Sequence, residues 1–165
     1  MSRVVNSCVQ NILQKADRLG AAAESGGKNL CDNRNNLNCE AFMDIFKAAR
    51  LGNLAALAEC LRGGTSINAQ DARGLTPLMW AVDLGQLAVV QYLIQARANL
   101  NLRDCYGQTA VMLAAGHNDL NSLKLLIAAK ADLNLKMESG ATALGLAVEN
   151  KHVEAAALLK KAGAK

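Results

Sequence analysis

The chain repeats itself every 33 residues. Gly74, Gly107 and Gly140 keep that spacing, and so do Thr76, Thr109 and Thr142. Ala81, Ala114 and Ala147 follow it, as do Leu93, Leu126 and Leu159, and Asn68, Asn101 and Asn134. A fixed period of this length means a supersecondary unit that cannot bury its apolar face alone and therefore stacks on copies of itself.

Each recurring residue has a physical reason. The glycine suits a tight turn in which φ is positive. The threonine two residues later can cap a helix with its hydroxyl. Pro77 follows at a first helical position, where its missing N–H does no harm. The alanine belongs where two helices approach closely. The asparagine suits a turn or hairpin, because its amide can bond nearby backbone.

One period reads as two short helices and an extended tip. In the second unit the first helix is expected over Pro77 to Leu84 and the second over Leu87 to Ala96. Val89, Val90, Leu93 and Ile94 fall on one face of that second helix. ANLNLRDCYG then runs out to the next turn, and the third unit repeats the order with AVMLAAGH, LNSLKLLIAA and ADLNLKMESG. Composition agrees: apolar residues reach 52% but aromatics only 3%, so alanine and leucine carry the core through close helix packing.

These residues resemble the ankyrin-repeat family. Its G-x-T-P-L-H-x-A-A motif appears as Gly74-Leu75-Thr76-Pro77-Leu78-Met79-Trp80-Ala81. It recurs from Gly107 through Thr109 to Ala114-Ala115, and from Gly140 through Thr142 to Ala147. The family's A-D-V-N segment appears as Ala98 to Asn101 and Ala131 to Asn134. A degenerate first unit, about residues 41–73, keeps Ala48, Gly52, Leu57 and Ser66 to Asn68 in register. The resemblance spans roughly residues 40–165, with further units at about 74–106, 107–139 and 140–165. It implies an all-α repeat fold, an ankyrin-repeat solenoid of stacked helix-turn-helix units with hairpin fingers.

The chain departs from the family in places. Met79, Met112 and Gly145 replace the motif histidine, which removes a polar network beside the threonine. Gly145 weakens its helix by roughly 1 kcal/mol relative to alanine. Asn118 stands where Gly52 and Gly85 stand in other units, a swap that costs little because asparagine tolerates the left-handed conformation. Lys160 and Lys161 near the last helix terminus complement its dipole, and Gly163 can end it. Arg97 and Lys130 occupy equivalent dipole-complementing places after second helices.

Residues 1–19 hold an amphipathic helix candidate, with Val4, Val5, Cys8, Val9, Ile12, Leu13 and Ala16 on one stripe over residues 3–19. It can be an N-terminal cap, the remnant second helix of a decayed repeat, or a partner or membrane-surface helix. Residues 20–39, rich in glycine and asparagine, read as a flexible link or long loop.

No constellation of catalytic, metal-binding or cofactor-binding residues stands out. His117 and His152 fall at helix ends without a carboxylate or cysteine at ligand spacing. The five cysteines, Cys8, Cys31, Cys39, Cys60 and Cys105, show no C-x-x-C pair, which fits a reducing compartment better than a disulfide framework. Cys105 reads as an exposed thiol or a tolerated small residue. No phosphate-cradling loop, secretory signal or membrane span is apparent. The net charge of +4 would help attract an acidic surface and is too small to argue for nucleic acid.

The resemblance implies a non-enzymatic, cytoplasmic module that binds another protein, with no small-molecule substrate, membrane or nucleic acid. An alternative is a bacterial secreted effector that engages a factor in the host cytosol. Partner contacts implied by the family fall at finger and turn positions Ala72, Arg73, Leu75, Cys105, Tyr106, Gln108, Lys136, Glu138 and Ser139. On first helices they fall at Arg50, Leu51, Asp83, Leu84, His117 and Asn150. Tyr106 is the expected anchor. Leu51, Leu75 and Leu84 form an apolar stripe, for which packing between repeats is the rival role. Arg73, Arg103 and Lys136 make either a basic rim or a solvated edge.

Overall fold

The computed structural model describes residues 44–165, so the expected N-terminal helix and link lie outside the described residues. Eight helices follow in pairs: α1 (Ile45–Arg50) with α2 (Leu54–Arg62), α3 (Pro77–Asp83) with α4 (Leu87–Gln95), α5 (Ala110–Gly116) with α6 (Leu120–Ala128), and α7 (Ala143–Glu149) with α8 (Val153–Lys161). The first helices of successive units stack on each other, and so do the second helices.

Small side chains make that stacking possible. Ala48, Ala81, Ala114 and Ala147, one on each first helix, all have zero solvent exposure. On the second helices Val90 and Leu123, and likewise Leu93, Leu126 and Leu159, are fully buried in register, while Ile94 is only partly covered.

The starts of the helices follow the motif with one exception. The Thr76 hydroxyl accepts from Met79 N–H at 3.2 Å, and Thr142 accepts from Gly145 N–H at 3.2 Å. Met79 partly replaces the missing histidine, because its Sδ accepts from Thr76 N–H at 3.5 Å, a weak bond for a thioether. Thr109 departs from the expected cap: it sits at the N-cap of α5, but its hydroxyl is buried without a hydrogen-bond partner.

The helix ends are uniform. Each is followed by a residue with positive φ: Gly52, Gly64, Gly85, Arg97, Asn118, Lys130, Lys151 and Gly163. The N–H of the residue immediately after it then closes on a carbonyl of the last turn. Asn53, Gln86, Asp119 and His152 donate to the carbonyls of Ala48, Ala81, Ala114 and Ala147 at 2.7–3.0 Å. This is a Schellman closure, which satisfies carbonyls the helix itself leaves open. Arg97 and Lys130 therefore hold a left-handed backbone as well as a place near the helix dipole.

Neighbouring units are tied by asparagines. The Asn68 Oδ1 accepts from Asn99 N–H at 2.8 Å, Asn101 from Asp132 N–H at 2.9 Å, and Asn134 from Lys165 N–H at 2.8 Å. The expected bond to nearby backbone is thus a bond to the following unit, because stacking brings that unit's backbone closer than the asparagine's own turn.

Fingers between the units carry no strand among the described residues. Single backbone bonds join adjacent tips: Cys105 N–H to the Arg73 carbonyl at 2.9 Å, and Glu138 N–H to the Tyr106 carbonyl at 3.2 Å.

Glycine replacement separates turn strain from crowding. Gly74, Gly107 and Gly140 all have φ between 78° and 86°. A Cβ at Gly74 or Gly107 would lie 3.0 Å from backbone of the next finger, whereas at Gly140 nothing lies within 4 Å. Gly140→Ala is expected to cost about 1–2 kcal/mol from the left-handed backbone alone. Gly74→Ala and Gly107→Ala should each cost at least about 1 kcal/mol more, from overpacking. Urea unfolding of the three variants checks the order. Lys151→Gly, which relieves a φ of 60°, should raise stability by up to about 1 kcal/mol in the same assay.

Candidate interaction site

The tip of each finger is organised by a side chain just before the motif glycine, three residues ahead of it in the first two fingers and one in the third. The Asp71 Oδ1 accepts from Arg73 N–H at 2.8 Å and Leu75 N–H at 2.9 Å. Asp104 repeats this with Tyr106 N–H at 2.9 Å and Gln108 N–H at 2.8 Å. In the third finger Met137 stands at that place, and the Ser139 hydroxyl accepts from Ala141 N–H at 3.4 Å instead. These aspartates hold Arg73 and Tyr106 outward, since a side chain bonded to its own turn's backbone fixes the tip.

The second carboxylate oxygen of Asp71 reaches further. It accepts from the indole Nε1–H of Trp80 at 3.1 Å, which ties the first tip to α3. The guanidinium carbons of Arg50 and Arg73 each lie 4.7 Å from the centroid of the Trp80 ring, within cation–π range. Trp80 is thereby joined to the end of α1 and to the first tip. An open concavity of about 480 Å3 adjoins this stack, lined by Asp44, Phe46, Lys47, Arg50, Leu51, Asp71, Trp80 and Leu84.

The implied contact residues divide by environment. Leu51 and Leu84 are 61% and 47% exposed, and Tyr106 is 45% exposed. Leu75 is buried and joins the core, so packing between repeats is its role, and the apolar stripe reduces to two leucines. Arg50, Ala72, Arg73, Lys136, Glu138 and Ser139 are exposed, and Cys105 and Gln108 are half-buried. His117 Nδ1 lies 3.7 Å from Asp83 Oδ1 of the preceding unit. Asn150 uses its side-chain amide to donate to the Gly116 carbonyl at 3.2 Å, which ties the ends of α5 and α7. Arg103 donates through Nε to the Gly107 carbonyl at 3.2 Å, so it braces its own finger.

Two residues correct the reading of the sequence. Cys105 is disulfide-bonded and is neither a free thiol nor a bystander. Sequence spacing says little about such a bond, because it requires only that two Cα atoms come within several ångströms in space. Trp80 has no role in the sequence reading beyond its place in the motif, yet, half-buried against the core, it is the residue on which both arginines stack. The signal was present: it is the single tryptophan of the chain, at the register position where Leu113 and Leu146 stand in later units. Asp71 and Asp104 were also passed over, although they too stand 33 residues apart.

Burial, then the nearby Asp44 carboxylate, pushes the Cys60 thiol up, so it stays protonated at neutral pH and is a poor nucleophile. Among the described residues no group of three or more His, Cys, Asp or Glu side chains could hold a metal ion. No helix among them is long and apolar enough to cross a membrane.

Stacked two-helix units with finger tips define a helical repeat protein. The family of ankyrin repeats matches this chain in three overlapping stretches, residues 6–104, 45–137 and 97–165, and the chain belongs to the ankyrin-repeat family. Ankyrin repeats are generally protein–protein interaction modules, and the family is typically non-enzymatic. No curated protein matches the chain.

Asp104 offers a pH test of the finger. Burial raises its carboxyl above the ordinary 3.8, against the opposing pull of the Gln108 and Tyr106 amides and of Arg73, while Asp71 adds to the rise. The folded state therefore holds the proton more tightly than the unfolded chain. The stabilisation this gives is full below the unfolded value of about 3.9 and is lost as pH rises through the raised folded value. Asp104→Asn keeps an acceptor for both amides and removes the charge. It is expected to flatten the pH dependence of stability in the window just above pH 4, as measured by thermal unfolding at successive pH values.

Proposed function

We propose that this chain is a non-enzymatic binding module that holds a protein partner along its finger tips and the ends of its first helices. The observation that carries this reading is the cluster at the first two units. Trp80, the Arg50 guanidinium and the exposed Leu51 and Leu84 line one open concavity, and the Arg73 guanidinium lies over the Trp80 ring beside it. Tryptophan and arginine are the residue types that most often dominate binding energy at protein interfaces. Exposed leucines at a helix end add apolar area that water covers poorly.

The rest of the contact set extends the surface in register. Leu51, Leu84, His117 and Asn150 occupy the C-caps of α1, α3, α5 and α7. Tyr106, on the second tip, supplies an aromatic face and a hydroxyl next to the half-buried Gln108. Lys136, Glu138 and Ser139 continue the line on the third tip.

The test uses the full chain immobilised beside its Tyr106→Ala and Arg73→Glu variants, with captured proteins from the source cells quantified by mass spectrometry. A protein retained by the parent should fall at least about tenfold on each variant. Far-ultraviolet circular dichroism should be unchanged, because both side chains are exposed. Equal capture by all three chains would remove this face from consideration.

A further inference from the structure

Resting on the binding reading above, we infer that the Trp80 stack selects a partner segment that carries a carboxylate next to an apolar side chain. Hydrogen-bonding capacity points there. The acids of the concavity are already engaged: Asp44 accepts from Lys47 N–H, and Asp71 accepts from two backbone amides and the Trp80 indole. The guanidiniums are not. Among the described residues Arg50 and Arg73 make ring contacts with Trp80 and no side-chain hydrogen bond or ion pair.

A guanidinium lying on an aromatic face keeps its five N–H donors in the plane at its edge, held in a limited set of orientations. That edge matches a carboxylate in a bidentate pair. Stacking on Trp80 lowers the conformational entropy that each arginine would otherwise lose on binding. Beside the donors, Leu51, Leu84 and the ring of Phe46 offer apolar walls. An acidic residue with an apolar neighbour fits both halves at once.

Charge selects among anions. The concavity holds Lys47 and Arg50 against Asp44 and Asp71, with Arg73 alongside Trp80. Asp104 also faces Arg73, so these charges nearly balance, and a singly charged carboxylate gains chiefly from the directed guanidinium donors. A doubly charged phosphate meets the two fixed carboxylates as well, whose repulsion grows with the ligand's charge. The net charge of +4 favours approach of an acidic segment before contact.

The experiment is a random-peptide display selection on the full chain, followed by titration of the enriched peptides. Trp80 is the only tryptophan, so its fluorescence reports the stack itself. Enriched peptides should share an aspartate or glutamate within two positions of a leucine, isoleucine or phenylalanine. Replacing that acid by its amide should weaken binding about tenfold or more, and Arg50→Gln in the chain should do the same. Arg73→Gln serves as a second variant, and thermal unfolding of both should match the parent. Enriched peptides without an acid, a preference for phosphoserine in its place, or affinity unmoved by Arg50→Gln and Arg73→Gln would each overturn the inference. Peptides weakened by Tyr106→Ala but not by either arginine variant would overturn it while leaving the binding face intact. Failure to enrich any peptide counts against both.

Discussion

The close approach of the first helices at four alanines sets the other distances in this molecule. Ala48, Ala81, Ala114 and Ala147 are wholly buried, and each also lends its carbonyl to the closure of its own helix. A larger side chain there would separate adjacent units. The asparagine bonds between units, at 2.8–2.9 Å, tolerate no such shift, and neither do the single backbone bonds between finger tips. The helix pairs are short, six to nine residues, and isolated helices of that length are not stable in water. Their stability comes from neighbours, so the repeat spacing and the fold are one constraint.

The Trp80 stack depends on that spacing. Arg50 belongs to the first unit's helix, Trp80 to the second unit's helix, and Arg73 to the finger between them. Only when α1 and α3 pack at alanine distance do both arginines reach one ring. The third element is Asp71, which fixes the tip that carries Arg73 and also bonds the indole. Later units keep the scaffold and lose this chemistry, because leucine replaces tryptophan at Leu113 and Leu146 and methionine replaces aspartate at Met137. The first two units are therefore distinct from the last two in what they present, although their backbones are alike.

The scaffold was legible in the sequence because its determinants recur. A glycine, threonine or alanine repeated at 33-residue spacing identifies itself, and helix limits in the second unit matched to within a residue. What recurs less faithfully was harder to see. The left-handed residues after second helices are Gly64, Arg97, Lys130 and Gly163, and no single residue type marks the position. Their shared feature is backbone geometry dictated by the closure onto the preceding turn. Thr109 shows the converse: a faithful residue type in the right register whose hydroxyl finds no partner. Identity at a repeat position predicts placement better than it predicts a hydrogen bond, which depends on tenths of an ångström.

The site was the least legible part, for a related reason. Self-comparison finds what units share, and a binding surface is built from what they do not. Leu75 stands where Gln108 and Ala141 stand in later units and is core; Trp80 stands where Leu113 and Leu146 stand and is half-buried, packed against the core on one side and against the arginines on the other. The exposed arginines could not be separated by charge alone either. Arg103 is spent on its own finger's Gly107 carbonyl, whereas Arg73 lies on an aromatic face with its donors open. In a repeat protein the position that departs from its own copies is where a search for function should begin. Whether a departing residue is a decayed scaffold position or a binding one is decided by what holds it in place. Trp80 is held by three residues of the preceding unit, Arg50, Asp71 and Arg73, a degree of support that a merely tolerated substitution would not require.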